Sequence, residues 1–121
     1  MRITGTATRD LLGVLEWTVQ EFGVEASLRY DALIKQALKD IVADPERPGS
    51  RERPDLTIEG ARTYHISLSR TRVAGARVKE PRHFILYRSQ DGAIEVARIL
   101  HDSRDLALHL PAGYRRIDTG N

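Results

Sequence analysis

The stretch HFILYRSQDGAIEVARIL, residues 83–100, decides the fold class of this chain. Its first six residues are apolar enough for a buried strand, its last eight predict a second strand, and residues 89–92 between them have the composition of a hairpin turn. In the preceding stretch ARTYHISLSR, residues 61–70, apolar and polar side chains alternate, which is typical of a half-buried strand. We therefore expect an antiparallel meander with strands near residues 61–70, 83–89 and 93–101.

Two helical patterns precede these strands. Thr8 is a candidate N-cap for a helix over residues 8–22, in which apolar residues recur at helical spacing and which Gly23 ends. A second helix is predicted over residues 25–43, with its apolar residues on one stripe. Because little more than Gly23 separates the two, they are expected to form an antiparallel helical hairpin.

The two ends of the chain complete the predicted fold. The extended segment 2–7 predicts an added N-terminal strand, and residues 105–110 predict a short helix that Pro111 ends. Residues 112–121 have no core-forming pattern and are predicted to be a mobile tail. The predicted fold class is α+β: a helical hairpin packed on a small, mainly antiparallel sheet of about three to four strands, forming a single domain over residues 1–111.

Composition excludes several classes of protein. The 121 residues include no cysteine, which rules out disulfide bonds, thiolate nucleophiles and cysteine-based zinc sites. No run approaches the roughly 20 apolar residues of a membrane span, and no secretory signal is visible, so we expect a cytoplasmic protein without a membrane partner. The net charge of +2 is too small for a general nucleic-acid clamp. Basic residues nevertheless outnumber acidic ones in residues 61–121, which places the expected working surface in that half.

The sequence lacks the common motifs of nucleotide-binding and metal-dependent enzymes. The glycines at 49, 60, 75 and 92 are isolated and none opens a predicted helix after a strand, so no nucleotide cofactor is expected. His101 and Asp102 form a lone pair of metal-ligand type without an HExxH pattern, so no metal site is expected either. Ser67 and Ser69 alternate with apolar residues and are predicted to lie on the sheet surface.

One group of residues is a candidate binding site. Basic and histidine side chains lie at the strand ends, where antiparallel pairing can bring several of them to one face. Such a cluster would bind phosphate, a carboxylate or an acidic peptide, because arginine suits planar bidentate contacts. The alternative interpretation is a set of solvated cations at the sheet edge, in which Arg98 pairs with Glu95 or Asp105. The candidate residues are Arg70, His83, Arg98, His101 and Arg104.

The sequence resembles the ParE branch of the RelE/ParE toxin family of bacterial type II toxin-antitoxin modules. The resemblance covers about residues 8–111 and depends above all on HFILYR, the following DG turn and IEVARILHDSRDLALHL. It implies a small stable toxin whose cognate, ParD-like antitoxin holds it silent in a hetero-oligomer. ParE-like members are described as poisons of DNA gyrase, whereas RelE-like members cut mRNA in the ribosome.

The resemblance leaves three functions open. RelE-like strands commonly carry an arginine where this chain has Phe84, and a ribonuclease needs such a cation to stabilise charge on the phosphate. We therefore predict a gyrase-binding protein that is not an enzyme, with the five candidate residues above as its target contacts. One alternative is a ribosome-dependent mRNA endoribonuclease, and another is an inert homologue that only binds antitoxin. The replacement catalytic set for the endoribonuclease would be His83, Arg98, Arg70 and Tyr87.

The first helix carries the predicted antitoxin site. Leu12, Val14 and Trp17 lie off its main apolar stripe and are available to a partner. We expect an amphipathic helix to bind there, or a strand to add to an exposed sheet edge.

Overall fold

The computed structural model describes residues 1–56, 59–75 and 77–103. Its elements in chain order are β1 (Arg2–Ile3), α1 (Gly5–Phe22), α2 (Val24–Ala43), β2 (Arg51–Glu52), β3 (Ala61–His65), a 3₁₀ helix (Ile66–Arg72), β4 (His83–Gln90) and β5 (Ala93–His101). The strands form one sheet in the order β1-β5-β4-β3-β2, in which only β1 pairs in parallel. The predicted α+β class and helical hairpin are confirmed. Within the described residues the sheet has five strands instead of three to four, because β2 adds a short edge strand that carries no apolar signal.

The β4–β5 hairpin forms where the sequence predicts it. Its turn residues Asp91 and Gly92 both have positive φ, at 53° and 78°, as a type I′ turn requires. The register shifts between Leu86 and Tyr87, so that Ala97 is an extra residue of β5 without a partner in the ladder.

Helix α1 begins earlier than the sequence predicts. Thr4, not Thr8, is the N-cap, because its hydroxyl oxygen accepts the Ala7 N–H at 3.1 Å and its hydroxyl donates to the Ala97 carbonyl at 3.0 Å. The predicted N-terminal strand over 2–7 is correspondingly reduced to Arg2–Ile3, which pairs with Glu95 and Val96.

Strand β3 ends at His65 and does not continue to residue 70. The Nδ1 atom of His65 accepts the Ser67 N–H at 3.2 Å, and this local hydrogen bond turns the chain into the 3₁₀ helix. Leu68 is consequently exposed, whereas Ser69 is fully buried. The prediction that Ser69 lies on the sheet surface was therefore wrong.

Ser69 joins a buried network that fastens the 3₁₀ helix to α2. The carboxylate of Asp40, 2% exposed, accepts hydrogen bonds from the Ser69 hydroxyl at 2.6 Å, the Gln36 amide at 2.9 Å and the Arg72 guanidinium at 2.9 Å. Burial alone would raise the pKa of Asp40, but these hydrogen bonds outweigh it and the pKa is lowered. The charged form of the carboxylate is therefore the one that the fold stabilises.

The apolar residues bury two faces of the sheet. Ile85 and Tyr87 belong to the main cluster with the helical hairpin, whereas Leu86 between them belongs to a smaller cluster with Leu56 and Leu100 on the opposite face. Neither described helix is long and apolar enough to cross a membrane. The predicted C-terminal helix and tail lie outside the described residues.

Candidate functional site

Histidines from three strands lie at one end of the sheet. His65 ends β3, His83 begins β4 and His101 ends β5, and His83 pairs with His101 in register. The rings of His83 and His101 meet edge to face, with 5.2 Å between their centroids. Sequence reasoning placed His83 and His101 among the candidates but missed His65, because its alternating strand gave it no signal beyond a solvated polar position.

His83 is a buried, neutral histidine. The Arg82 N–H donates to the Tyr30 hydroxyl oxygen at 3.0 Å, and the Tyr30 hydroxyl shares a hydrogen bond of 2.6 Å with Nδ1 of His83. Burial, with a contribution from neighbouring His101, lowers the pKa of His83 to about 4. Burial likewise raises the pKa of Tyr30. At neutral pH this pair therefore holds a fixed hydrogen bond and no charge.

An ion-pair cluster borders the buried histidine. The Arg82 guanidinium binds the Asp102 carboxylate through two nitrogens, at 3.0 and 3.1 Å, and Nε2 of His65 donates to the same carboxylate at 3.0 Å. Burial opposes the charged form of Asp102, but the bonds from Arg82 and His65 outweigh it and lower its pKa. Arg82 and Asp102 were not among the predicted site residues. Arg82 adjoins His83, and the sequence showed Asp102 only as half of a lone pair of metal-ligand type with His101.

Arg98 is engaged with helix α1. Its guanidinium binds both carboxylate oxygens of Asp10, at 2.7 and 2.8 Å, and the same carboxylate accepts the Ile99 N–H at 3.0 Å. The sequence pattern suggested Glu95 or Asp105 as a partner, and Asp105 lies outside the described residues. The observed partner lies so far away in the chain that only the tertiary fold reveals it.

The other predicted residues lie apart from the histidines or outside the described chain. Arg70 is on the 3₁₀ helix and donates to the Lys79 carbonyl at 2.6 Å. Tyr87 is buried, and its hydroxyl donates to the Pro45 carbonyl. Burial raises the pKa of that hydroxyl. Arg104 lies outside the described residues.

A groove of about 510 Å³ separates α1 from the end of β5. It brings Val14 and Trp17 of the predicted antitoxin site beside His83, Arg98 and His101 of the predicted target site. Its remaining lining residues are Arg9, Asp10, Gly13, Ile99, Leu100 and Ser103.

Leu12 does not share this groove. It is five residues from Trp17, which places the two side chains about 140° apart around the helix axis. The exposed fractions of both are high, 60% and 51%, but they flank the buried stripe on opposite sides. The three predicted antitoxin contacts therefore do not form one surface, and Val14 is half-buried against the core.

The described residues include no group of three or more histidine, aspartate or glutamate side chains arranged to hold a metal ion. The three histidines at the sheet end are instead held by hydrogen bonds to Tyr30, Asp102 and Ser103.

Comparison with known proteins identifies the family. The model of the family "ParE toxin of type II toxin-antitoxin system, parDE" matches residues 1–106. No curated protein matches the chain. A solved structure, described as a chromosomal ParDE TA system from P. aeruginosa, has the same fold, with a TM-score of 0.61 and 19% sequence identity over 83% of this chain and 91% of that one. The chain therefore belongs to the ParE toxin family of type II toxin-antitoxin systems.

Proposed function

We propose that this ParE-family toxin acts in the cytoplasm on DNA gyrase, by binding and not by catalysis, and that a ParD-like antitoxin neutralises it. Family membership supports the role as a toxin. One observation supports binding over catalysis. The four residues that would have to serve as the catalytic set of a nuclease are buried or already hydrogen-bonded within the protein; they are His83, Arg98, Arg70 and Tyr87.

A ribonuclease needs a general acid and a general base near one phosphodiester, together with a cation for the developing charge. His83 is 7% exposed and neutral, and Tyr87 is fully buried with its hydroxyl on a carbonyl. Neither side chain is available to exchange protons with a substrate. Arg98 already forms a bidentate pair with Asp10.

The position of the missing arginine supports the same conclusion. Phe84 is half-buried and packs against the smaller apolar cluster. A charged side chain there would have to displace apolar contacts. The exposed basic groups of this half of the chain instead suit contact with an acidic surface or with phosphate.

The groove between α1 and β5 is the proposed antitoxin site. Both outer strands of the sheet have only two residues, and Asp10 already accepts the Ile99 N–H beyond β1. Few backbone groups are thus left for strand addition. An amphipathic helix of the antitoxin would place its apolar face on Val14 and Trp17 and an acidic side chain towards Arg9.

Two assays on the antitoxin-free toxin test the target. In the first, gyrase, plasmid DNA and ATP are incubated with the toxin, and trapped cleaved DNA is measured. In the second, mRNA cleavage is measured on translating ribosomes. We expect trapped gyrase–DNA complexes and intact mRNA. Cuts in the mRNA would overturn the proposal in favour of the nuclease. No effect on gyrase, together with unchanged growth on induced expression, would overturn it in favour of the inert homologue.

A further inference from the structure

Residues 70–82, with the sequence RTRVAGARVKEPR, comprise the end of the 3₁₀ helix and its connection to β4, and the structure describes all of them except residue 76. They carry five cations against one acidic residue, Glu80. We refer to this segment as the basic loop. Its cations are Arg70, Arg72, Arg77, Lys79 and Arg82.

The arginines of the basic loop fix its shape. Arg72 binds the buried carboxylate of Asp40 at one end, and Arg82 binds Asp102 at the other. Between these anchors, Arg70 donates to the Lys79 carbonyl at 2.6 Å, which joins the two sides of the loop. Arg77 donates in the same way to the Thr71 carbonyl at 3.4 Å. A loop held like this presents its charges at defined positions without a large ordering cost on binding.

Three of these charges are not neutralised by the described part of the protein. Arg72 and Arg82 pair with carboxylates, whereas Arg70 and Arg77 donate to carbonyl oxygens. Neither they nor Lys79 form an ion pair with any carboxylate of the described residues. The loop therefore projects a net positive field at a fixed place on the surface.

The side chains of the loop favour a phosphate ligand over a protein surface. Its large apolar residues, Val73 and Val78, pack inward against the main core. The outward surface thus lacks the aromatic and apolar groups that form the centre of protein interfaces. Arginine and lysine side chains are the usual contacts to phosphate oxygens of nucleic acid.

We propose that the basic loop binds the sugar-phosphate backbone of duplex DNA without reading its sequence, and so holds the toxin on the DNA segment that gyrase cleaves. That the toxin is held on the segment that gyrase cleaves rests on the proposed function. The DNA contact itself is a property of the toxin alone, and it can be measured without gyrase.

The first experiment measures fluorescence anisotropy of a labelled duplex, of arbitrary sequence, titrated with the full-length antitoxin-free toxin over a range of salt concentrations. The test variant is Arg77→Gln/Lys79→Gln. The matched control is Lys39→Gln/Arg51→Gln, which removes the same two charges from exposed positions on α2 and β2. We expect the test variant to bind roughly tenfold more weakly near 0.1 M salt, with the salt slope smaller by about two, and the control to bind like the parent.

The outcomes separate this inference from the proposed function. Equal weakening in both variants, or no binding by the parent, would overturn the loop as a DNA contact. If the test variant still trapped gyrase on DNA as the parent does, the inference would fail while the gyrase proposal stood. If it lost binding to gyrase in the absence of DNA, the loop would be a protein contact and the inference would again fail. Loop-dependent DNA binding by a toxin that leaves gyrase active would instead support the DNA contact and overturn the target.

Discussion

At the scale of single residues, the buried pair of Tyr30 and His83 makes the fold sensitive to mild acid. The folded-state pKa of His83 is about 4, below its ordinary 6.5, so the unfolded chain binds the extra proton first as pH falls. The stability contributed by neutral His83 is complete above pH 6.5 and is lost progressively between pH 6.5 and 4. We expect a loss of about 3 kcal/mol across that window, measured by urea unfolding at a series of pH values.

Replacement of the histidine tests this assignment. His83→Gln keeps a hydrogen-bonding group beside the Tyr30 hydroxyl but does not titrate, so its stability should stay nearly flat from pH 6.5 to 4. The carboxylate of Asp40 titrates in a lower window, because its folded pKa lies below 3.8, and does not obscure the result. A parental slope in His83→Gln would show that another group is responsible.

The same residues show what sequence reasoning could reach. The strand pattern placed His83 and His101 at one end of the sheet, because antiparallel register follows from the turn at Asp91 and Gly92. It could not show that His83 is buried under Tyr30, since that contact depends on how the helical hairpin packs on the sheet. A histidine that appeared to be a surface group is thus part of the core.

At the scale of elements, the junction of α2 and the 3₁₀ helix depends on one buried serine. Ser69→Ala removes the 2.6 Å hydrogen bond to the Asp40 carboxylate and leaves a buried charge with fewer donors. We expect a loss of about 2 kcal/mol in the free energy of unfolding, seen as a lower urea midpoint with an unchanged slope. Ser67→Ala, on the exposed side of the same helix, should change stability by less than about 0.5 kcal/mol. Equal effects of the two substitutions would contradict the structural role of Ser69.

The sequence predicted where a helix or strand begins and ends only where no side-chain hydrogen bond overrode the local pattern. Both Thr4 and Thr8 are good N-cap residues, and the Ala97 carbonyl, far along the chain, decides in favour of Thr4. The alternation of Tyr64, Ile66 and Leu68 predicted a strand, but the His65 side chain binds the backbone of Ser67 and ends it. In both cases a side-chain hydrogen bond outside the periodic pattern set the boundary.

At the scale of the whole molecule, the protein has two surfaces of different chemistry. The groove beside α1 offers the apolar side chains of Val14 and Trp17, whereas the basic loop offers charge with its apolar residues turned inward. Two such surfaces allow an antitoxin helix and a polyanionic target to be recognised by different physical means. Sequence reasoning found Val14 and Trp17 of the groove but only Arg70 of the basic loop. Only the fold shows that Trp17 faces the groove and that Leu12 does not.

This separation of Leu12 and Trp17 gives the last prediction. Trp17→Ala removes a half-exposed aromatic side chain from the groove and should weaken binding of the cognate antitoxin by about 2 kcal/mol, or roughly thirtyfold in Kd, by isothermal titration calorimetry. Leu12→Ala removes a side chain that is more exposed but lies on the opposite flank, so Kd should change by less than about threefold. Both substitutions affect exposed positions and should leave the melting temperature of the isolated toxin nearly unchanged.

Because bound antitoxin stabilises the folded state by mass action, the same difference should appear as a smaller thermal shift for the Trp17→Ala complex. A large effect of Leu12→Ala with none from Trp17→Ala would move the antitoxin to the other side of α1, away from the groove that holds His83 and His101.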